Sequence, residues 1–342
     1  MSSLSGSDRS ITVALAAALA LFAVIAIAEP LAAYAVALAL FGLPHVLSEL
    51  RYADRRFGRR VGLSLVRTVL GMLCAIVAMR AATGFGLIDP AIGAPAELGG
   101  VALLALLCVR GGLMQKCIAL AVGLSIGSGV LLAPFDTMIV LSVLHNLTPL
   151  GFFWEIAPQS RRGWIMGLAS AGLLGLPLLV ATGLPGAALA TTGWAGRAAD
   201  PLAAGSLYDQ LHVYVPSWLA QSPQALDLFA GAVVAQGGHY LAVIIVLPLL
   251  LRRYDPQARG LLAWPRDCRF AVLVAALGVA SLAGFLAMGF AEARLLYGLA
   301  AAFHAWIEVP LLILALTGGV QPWISSPASN EAALASSEAS MA

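Results

Sequence analysis

The feature that most constrains this chain is a succession of about ten apolar stretches, each close to the length of a bilayer's hydrocarbon core. A helix needs ~20 residues to cross that core, and runs such as ITVALAAALALFAVIAIAE and FAVLVAALGVASLAGFLAMGF supply them. Of the 342 residues, 61% are hydrophobic and 11% charged, with a mean hydropathy of +0.92. A soluble protein carries about 25% charged residues, so this composition belongs to a chain dissolved in lipid. The expected fold is all-α: a polytopic integral membrane protein with spans at about 11–28, 31–50, 62–82, 98–109, 117–134, 137–156, 163–183, 226–251, 268–289 and 294–317. The 98–109 run is short for a span and is expected to begin earlier. The first run exceeds a secretory apolar region and no polar mature domain follows it, so it reads as a span and not as a cleaved signal peptide.

Basic residues set the orientation. Arg51, Arg55, Arg56, Arg59 and Arg60 fall within ten residues in RYADRRFGRR, which the positive-inside rule places in a cytoplasmic loop. Alternating from there, Arg9, Arg110, Lys116, Arg161, Arg162, Arg252, Arg253, Arg259, Arg266 and Arg269 also fall inside. Only Arg80, Arg197 and Arg294 fall outside, and Arg67 lies within the third span. Both termini are therefore expected in the cytoplasm, with a bacterial-type inner membrane as the location. Residues 1–324 form one transmembrane domain. It includes an outer segment at about 184–225 whose SLYDQLHVYVPSWLAQS reads as an interfacial helix or lid. The Ser-, Ala- and Glu-rich tail at 325–342 is expected to be disordered.

The net charge of +2 favours no nucleic-acid partner. Cys74, Cys108, Cys117 and Cys268 are scattered singly with no C-x-x-C pair, so they form no zinc or disulfide framework and read as small buried side chains.

Four histidines, His45, His145, His239 and His304, lie one apiece in the second, sixth, eighth and tenth apolar stretches. Ionisable groups within a span are costly and usually functional, which makes a shared site the better reading than four separate helix–helix hydrogen bonds. His145, His239 and His304 fall near mid-span, whereas His45 lies about five residues, roughly 7–8 Å, towards the cytoplasm. Two histidines have the spacing His-x-x-x-Glu, with Glu49 and Glu308 one turn on and on the same helix face. Asn146, Thr148, Glu155, Gln236, Tyr240 and Tyr297 add polarity to the same set of spans. Arg67 can reach Glu49 or snorkel to the interface, and His212, in the outer segment, reads as a surface residue.

Neutral imidazole is the commonest metal ligand, and its second nitrogen usually donates to a carboxylate or carbonyl that orients the ring. One metal held by three or four imidazoles is the simplest model, with Glu49 and Glu308 as orienting partners or direct ligands. Imidazole suits iron, copper and zinc alike. A cytochrome-b-type pair of haems would need two histidines per helix about four turns apart, and a single bis-histidine haem leaves two histidines unused. The membrane di-iron class needs H-x-x-x-H and H-x-x-H-H boxes, which are absent from a chain with five histidines. A proton-coupled transporter using buried His and Glu, or a haem or quinone redox protein, remains the alternative.

The GLPH string around His45 and the isolated histidines on apolar helices resemble the Brp/Blh family of bacterial carotenoid-cleaving membrane proteins. After the Pro-His, this chain has Val46 and Glu49. The resemblance implies a polytopic helical enzyme holding one non-haem iron by histidines from several spans, with His45, His145, His239 and His304 as ligands. The expectation is then a membrane-embedded oxygenase, with Fe(II) as the metal and copper or zinc as substitutes. It would act with O2 on a lipophilic substrate such as a carotenoid or other lipid. Glu49 and Glu308 would orient ligands or move protons, and Tyr240 and Tyr297 would position substrate or oxygen.

Overall fold

The structure, a computed structural model, describes residues 6–194 and 199–318. Among these residues there are helices and no strands. The first half comprises α1 (Gly6–Ala28), α2 (Pro30–Ala53), α3 (Leu63–Gly84), α4 (Pro90–Leu106), α5 (Leu113–Leu132), α6 (Pro134–His145), α7 (Thr148–Ile156) and α8 (Gln159–Ser170). There follow α9 (Leu176–Ala181), α10 (Leu184–Ala190), α11 (Leu207–Gln210), α12 (Ala225–Leu241), α13 (Leu247–Tyr254), α14 (Asp267–Met288) and α15 (Phe290–Leu316). Combined across their bends, they make ten helices long and apolar enough to cross a membrane. The short fourth stretch does begin earlier, at Pro90, where the Asp89 carboxylate accepts from the Ala91 amide at 2.7 Å and caps the helix.

Prolines decide where the long helices bend. A helix proline lacks its N–H and its ring crowds the carbonyl four residues back. Pro177 and Pro248 each follow a five-residue π turn, Ala171–Gly175 and Ala242–Val246, which widens the helix at Leu173 and Ile244, the residues whose carbonyls would clash. Pro149 makes a sharper break. Its clash falls on the His145 carbonyl, so α6 ends at His145 and α7 starts at Thr148, whose hydroxyl donates to the freed carbonyl at 2.7 Å. Pro44 in α2 frees the Leu40 carbonyl, and Gly278 of α14 packs so closely there that a Cβ would stand 2.8 Å from that oxygen.

The spans containing α2, α4, α12 and α15 are the most enclosed, and the others lie around them with large apolar side chains turned outward. α2 packs against α1, α12, α14 and α15, using alanines at 33, 35, 37 and 39 to bring backbones close. This outward surface corrects the expectation for the cysteines: Cys108 is buried, but Cys74, Cys117 and Cys268 are exposed on outer helix faces. Arg67 is likewise exposed, so it forms no pair with the buried Glu49.

Two further expectations are revised. The arginine-rich stretch is not a loop over its whole length, because α2 runs on through a π turn to Gly58. Acidic partners hold it there: Arg51 meets Asp267 at 2.6 Å, and Arg56 bridges Glu155 and Asp255 at 2.5 Å each. Asp54 accepts from the Leu261 and Leu262 amides and the Trp264 indole. Glu155 therefore belongs to this end of the bundle and not to the polar set around the histidines.

The 184–225 segment is not one interfacial helix either. It comprises α10, the four-residue α11, a 3₁₀ turn at Leu211–Val213 and irregular chain. Leu202, Ala204, Leu211 and Val215 are buried against Tyr34 and Phe229. Polar ties hold the segment down, including Arg294 to the Gln210 side chain at 2.8 Å and Ser217 to Asp136 at 3.1 Å. His212 is exposed, as its position suggested. The placement of Arg197 and the expected disorder of 325–342 lie outside the described residues.

Candidate metal centre

The four histidines converge. One ring nitrogen from each of His45, His145, His239 and His304 lies within 4.8 Å of the other three, so the chain holds a tetrad that can bind a metal ion. His45 does not sit below the others. With α2 extended to Gly58, each histidine falls within one residue of the middle of its span, counting Pro30–Gly58, Pro134–Ile156, Ala225–Tyr254 and Phe290–Leu316. The apparent offset came from ending the second span at the arginines.

Hydrogen bonds fix how three of the rings face the centre. The Nδ1 of His45 lies 3.2 Å from the Phe41 carbonyl, and that of His304 lies 2.8 Å from the Ala301 carbonyl. Carbonyls only accept, so both rings donate from Nδ1 and turn an Nε2 lone pair inward. Those two Nε2 atoms stand 3.0 Å apart. Two lone pairs at that distance repel unless a cation lies between them. Two imidazole nitrogens bound side by side to one ion at ~2.1 Å each would be separated by about this much. His145 is oriented by a carboxylate: its Nδ1 donates to Glu308 Oε2 at 2.5 Å, and Thr148 donates to Glu308 Oε1 at 2.8 Å.

His239 is completely buried, and neither of its ring nitrogens has a hydrogen-bond partner. Glu49 is in the same condition, with both oxygens unpartnered at 1% exposure and Oε2 lying 3.7 Å and 3.8 Å from Nε2 of His239 and His304. Buried polar groups are nearly always satisfied. Orphaned imidazole and carboxylate groups around one point are a donor set suited to a divalent cation: neutral nitrogen ligands with an anion nearby to balance charge.

The carboxylates are crossed relative to the spacing in the sequence. Glu308 orients His145 and not His304 one turn before it, while Glu49 faces His239 and His304 and not His45. The His-x-x-x-Glu spacing does put each pair on one face, but the rings of His45 and His304 use carbonyls of their own helices first.

A cavity of about 660 Å³ reaches the centre, touching His45, His145 and His304. His145 has 17% of its side chain exposed, whereas the other three rings are nearly or fully enclosed. Tyr240 and Tyr297 line the cavity, with the Tyr240 ring tilted against His45 at 4.4 Å between ring centres and held by Gln236 at 2.7 Å. Phe135, Met138 and Leu141 supply apolar wall.

Sequence reasoning missed several polar residues that line this cavity. Arg80 is not a loop arginine: from within α3 it grips Glu97 of α4 at 2.7 Å, and the Trp306 indole donates to the same carboxylate at 2.8 Å. Glu97 is buried within an otherwise apolar span, and that isolation was the available signal. Tyr34, Tyr214 and Arg294 line it as well. No protein-family model matches the chain, and no match was found among curated proteins or solved structures.

Proposed function

We propose that this protein is a membrane-embedded, metal-dependent oxygenase that uses O2 to oxidise a lipophilic substrate, with iron(II) held by His45, His145, His239 and His304. The observation that carries the reading is the inward-turned Nε2 pair of His45 and His304, beside an unpartnered His239 and at the end of an apolar cavity. The choice of iron and O2 rests on the resemblance to the carotenoid-cleaving membrane family. The inward nitrogens of His45 and His304, 3.0 Å apart, are too close to be the two axial ligands on opposite faces of one haem.

Bound iron supplies the redox chemistry that O2 requires. The chain's own residues do the rest. The Phe41 and Ala301 carbonyls and the Glu308 carboxylate lock three imidazoles in the tautomer that presents Nε2, and Glu49 balances the charge of the centre. The enclosed rings keep water away on three sides, and the exposed edge of His145 marks the side from which substrate approaches. Tyr240, held by Gln236, and Tyr297 line that approach as neutral hydroxyls able to position an oxygen-bearing group. In this reading the ten helices span a bacterial inner membrane with both termini in the cytoplasm, as the arginine distribution favours.

Metal analysis of purified protein tests the proposal. The expected result is near-stoichiometric iron, lost in His239→Ala and His304→Ala variants that remain folded. Metal-free protein with all four histidines intact overturns it.

A further inference from the structure

We propose that the cavity takes an elongated substrate with an anionic, carboxylate-type head group, and that Arg294 binds that head. The identification of the ligand as substrate rests on the oxygenase reading; the binding site itself does not.

The charge balance along the cavity carries the argument. Of the two arginines that line it, Arg80 is neutralised by Glu97, whose oxygens also receive the Trp306 indole. Arg294 has no such partner. Its side chain donates to the neutral Gln210 amide oxygen at 2.8 Å, and among the described residues no carboxylate pairs with it. It nevertheless lines the cavity, half-buried near the start of α15. A half-buried cation without a carboxylate partner, facing a cavity with apolar walls, is suited to an anionic ligand, and a guanidinium retains donors that match a carboxylate.

The neighbours of Arg294 suit the same head group. The Tyr34 and Tyr214 rings lie 6.1 Å apart, both within the field of its charge. Burial pushes the Tyr214 phenol well above its usual range, with the neighbouring tyrosines adding to the shift, so it stays a neutral donor. From Arg294 to His304 is ten residues of one helix, or about 15 Å at 1.5 Å per residue. A head group on Arg294 would lay the chain along Tyr297 and bring a carbon well removed from the head to the histidines. The cavity volume of about 660 Å³ falls within the usual range for a small-molecule site.

The test is binding of cis-parinaric acid, an intrinsically fluorescent polyene fatty acid, against its methyl ester, to the full chain in neutral detergent, with metal content measured on the same samples. The acid is expected to bind about tenfold or more tightly than the ester, the order a charge-assisted hydrogen bond contributes. Arg294→Gln should abolish that preference and Arg294→Lys retain much of it. Gln210→Ala, which removes the tie to the outer segment but keeps the cation, should leave the preference intact, as a purely structural arginine would not. Equal binding of acid and ester by the wild-type protein, or a preference that survives Arg294→Gln, overturns the inference. Metal-free wild-type protein that still prefers the acid supports this site while overturning the oxygenase reading. Metal-loaded protein indifferent to the head group does the reverse.

Discussion

Glu308 offers a quantitative test of the centre. Its two oxygens do separate work: Oε2 accepts from His145 Nδ1 at 2.5 Å and Oε1 accepts from the Thr148 hydroxyl at 2.8 Å. Glu308→Gln preserves the shape and lets the amide oxygen accept from the ring, but removes the negative charge. A hydrogen bond to a charged group contributes about 1.5–3 kcal/mol and a neutral one about 0.5–1.5 kcal/mol. The loss should therefore be roughly 1–1.5 kcal/mol, or about tenfold in metal affinity, within the 10–100-fold range usual for groups that orient a ligand. Competition against a chromogenic chelator in detergent measures it directly. Thr148→Val removes the hydroxyl shared between Glu308 and the His145 carbonyl but leaves the Glu308 charge in place, and should cost severalfold less. Unchanged affinity in Glu308→Gln refutes the orienting role. A loss as complete as in His145→Ala would make Glu308 a ligand itself.

Glu49→Gln should act in opposite directions on the two forms of the protein. Its carboxylate has no hydrogen-bond partner, so the neutral amide should raise the melting temperature of chelator-stripped protein while lowering metal affinity. A parallel change in both quantities counts against charge balancing. Arg80→Met strands the buried Glu97 and should cost about 3–5 kcal/mol of stability, most of it recovered by adding Glu97→Gln, as read by thermal unfolding. At Gly231, a Cβ would stand 2.7 Å from the Pro177 carbonyl, between α12 and α9. Gly231→Leu should therefore prevent close packing of those helices and abolish folded, monodisperse protein in size-exclusion chromatography, whereas Gly127→Leu, in open space, should not.

Much of the architecture was legible because length and hydropathy are local properties. Ten helices long and apolar enough to cross a membrane follow from runs that each need to satisfy their own backbone, and their boundaries shifted mainly where capping or ion pairing intervened. Asp89 moved one start back to Pro90, and the acidic partners of Arg51 and Arg56 carried α2 on to Gly58. The 184–225 segment, expected as an interfacial helix or lid, is not a single helix, because its mixture of apolar and polar residues reflects burial of Leu202, Leu211 and Val215 against the bundle.

The sequence by itself determined which side chains are available inside apolar helices: four imidazoles, two carboxylates one turn beyond two of them, and tyrosines on the same spans. Mid-span position is nearly enough to put the histidines in one layer, since helices of similar length crossing the same slab share a centre. Only the tertiary structure decided which partner each ring takes. Glu308 lies one turn from His304 but bonds His145, because Pro149 breaks the sixth span at that histidine and Thr148 secures the break. Arg80 and Glu97 look unrelated until α3 packs on α4, and once they neutralise each other Arg294 is left as the cation facing the cavity. Hydrogen-bond partners and charge balance depend on which helix faces are neighbours, and neither spacing nor periodicity within one helix carries that information.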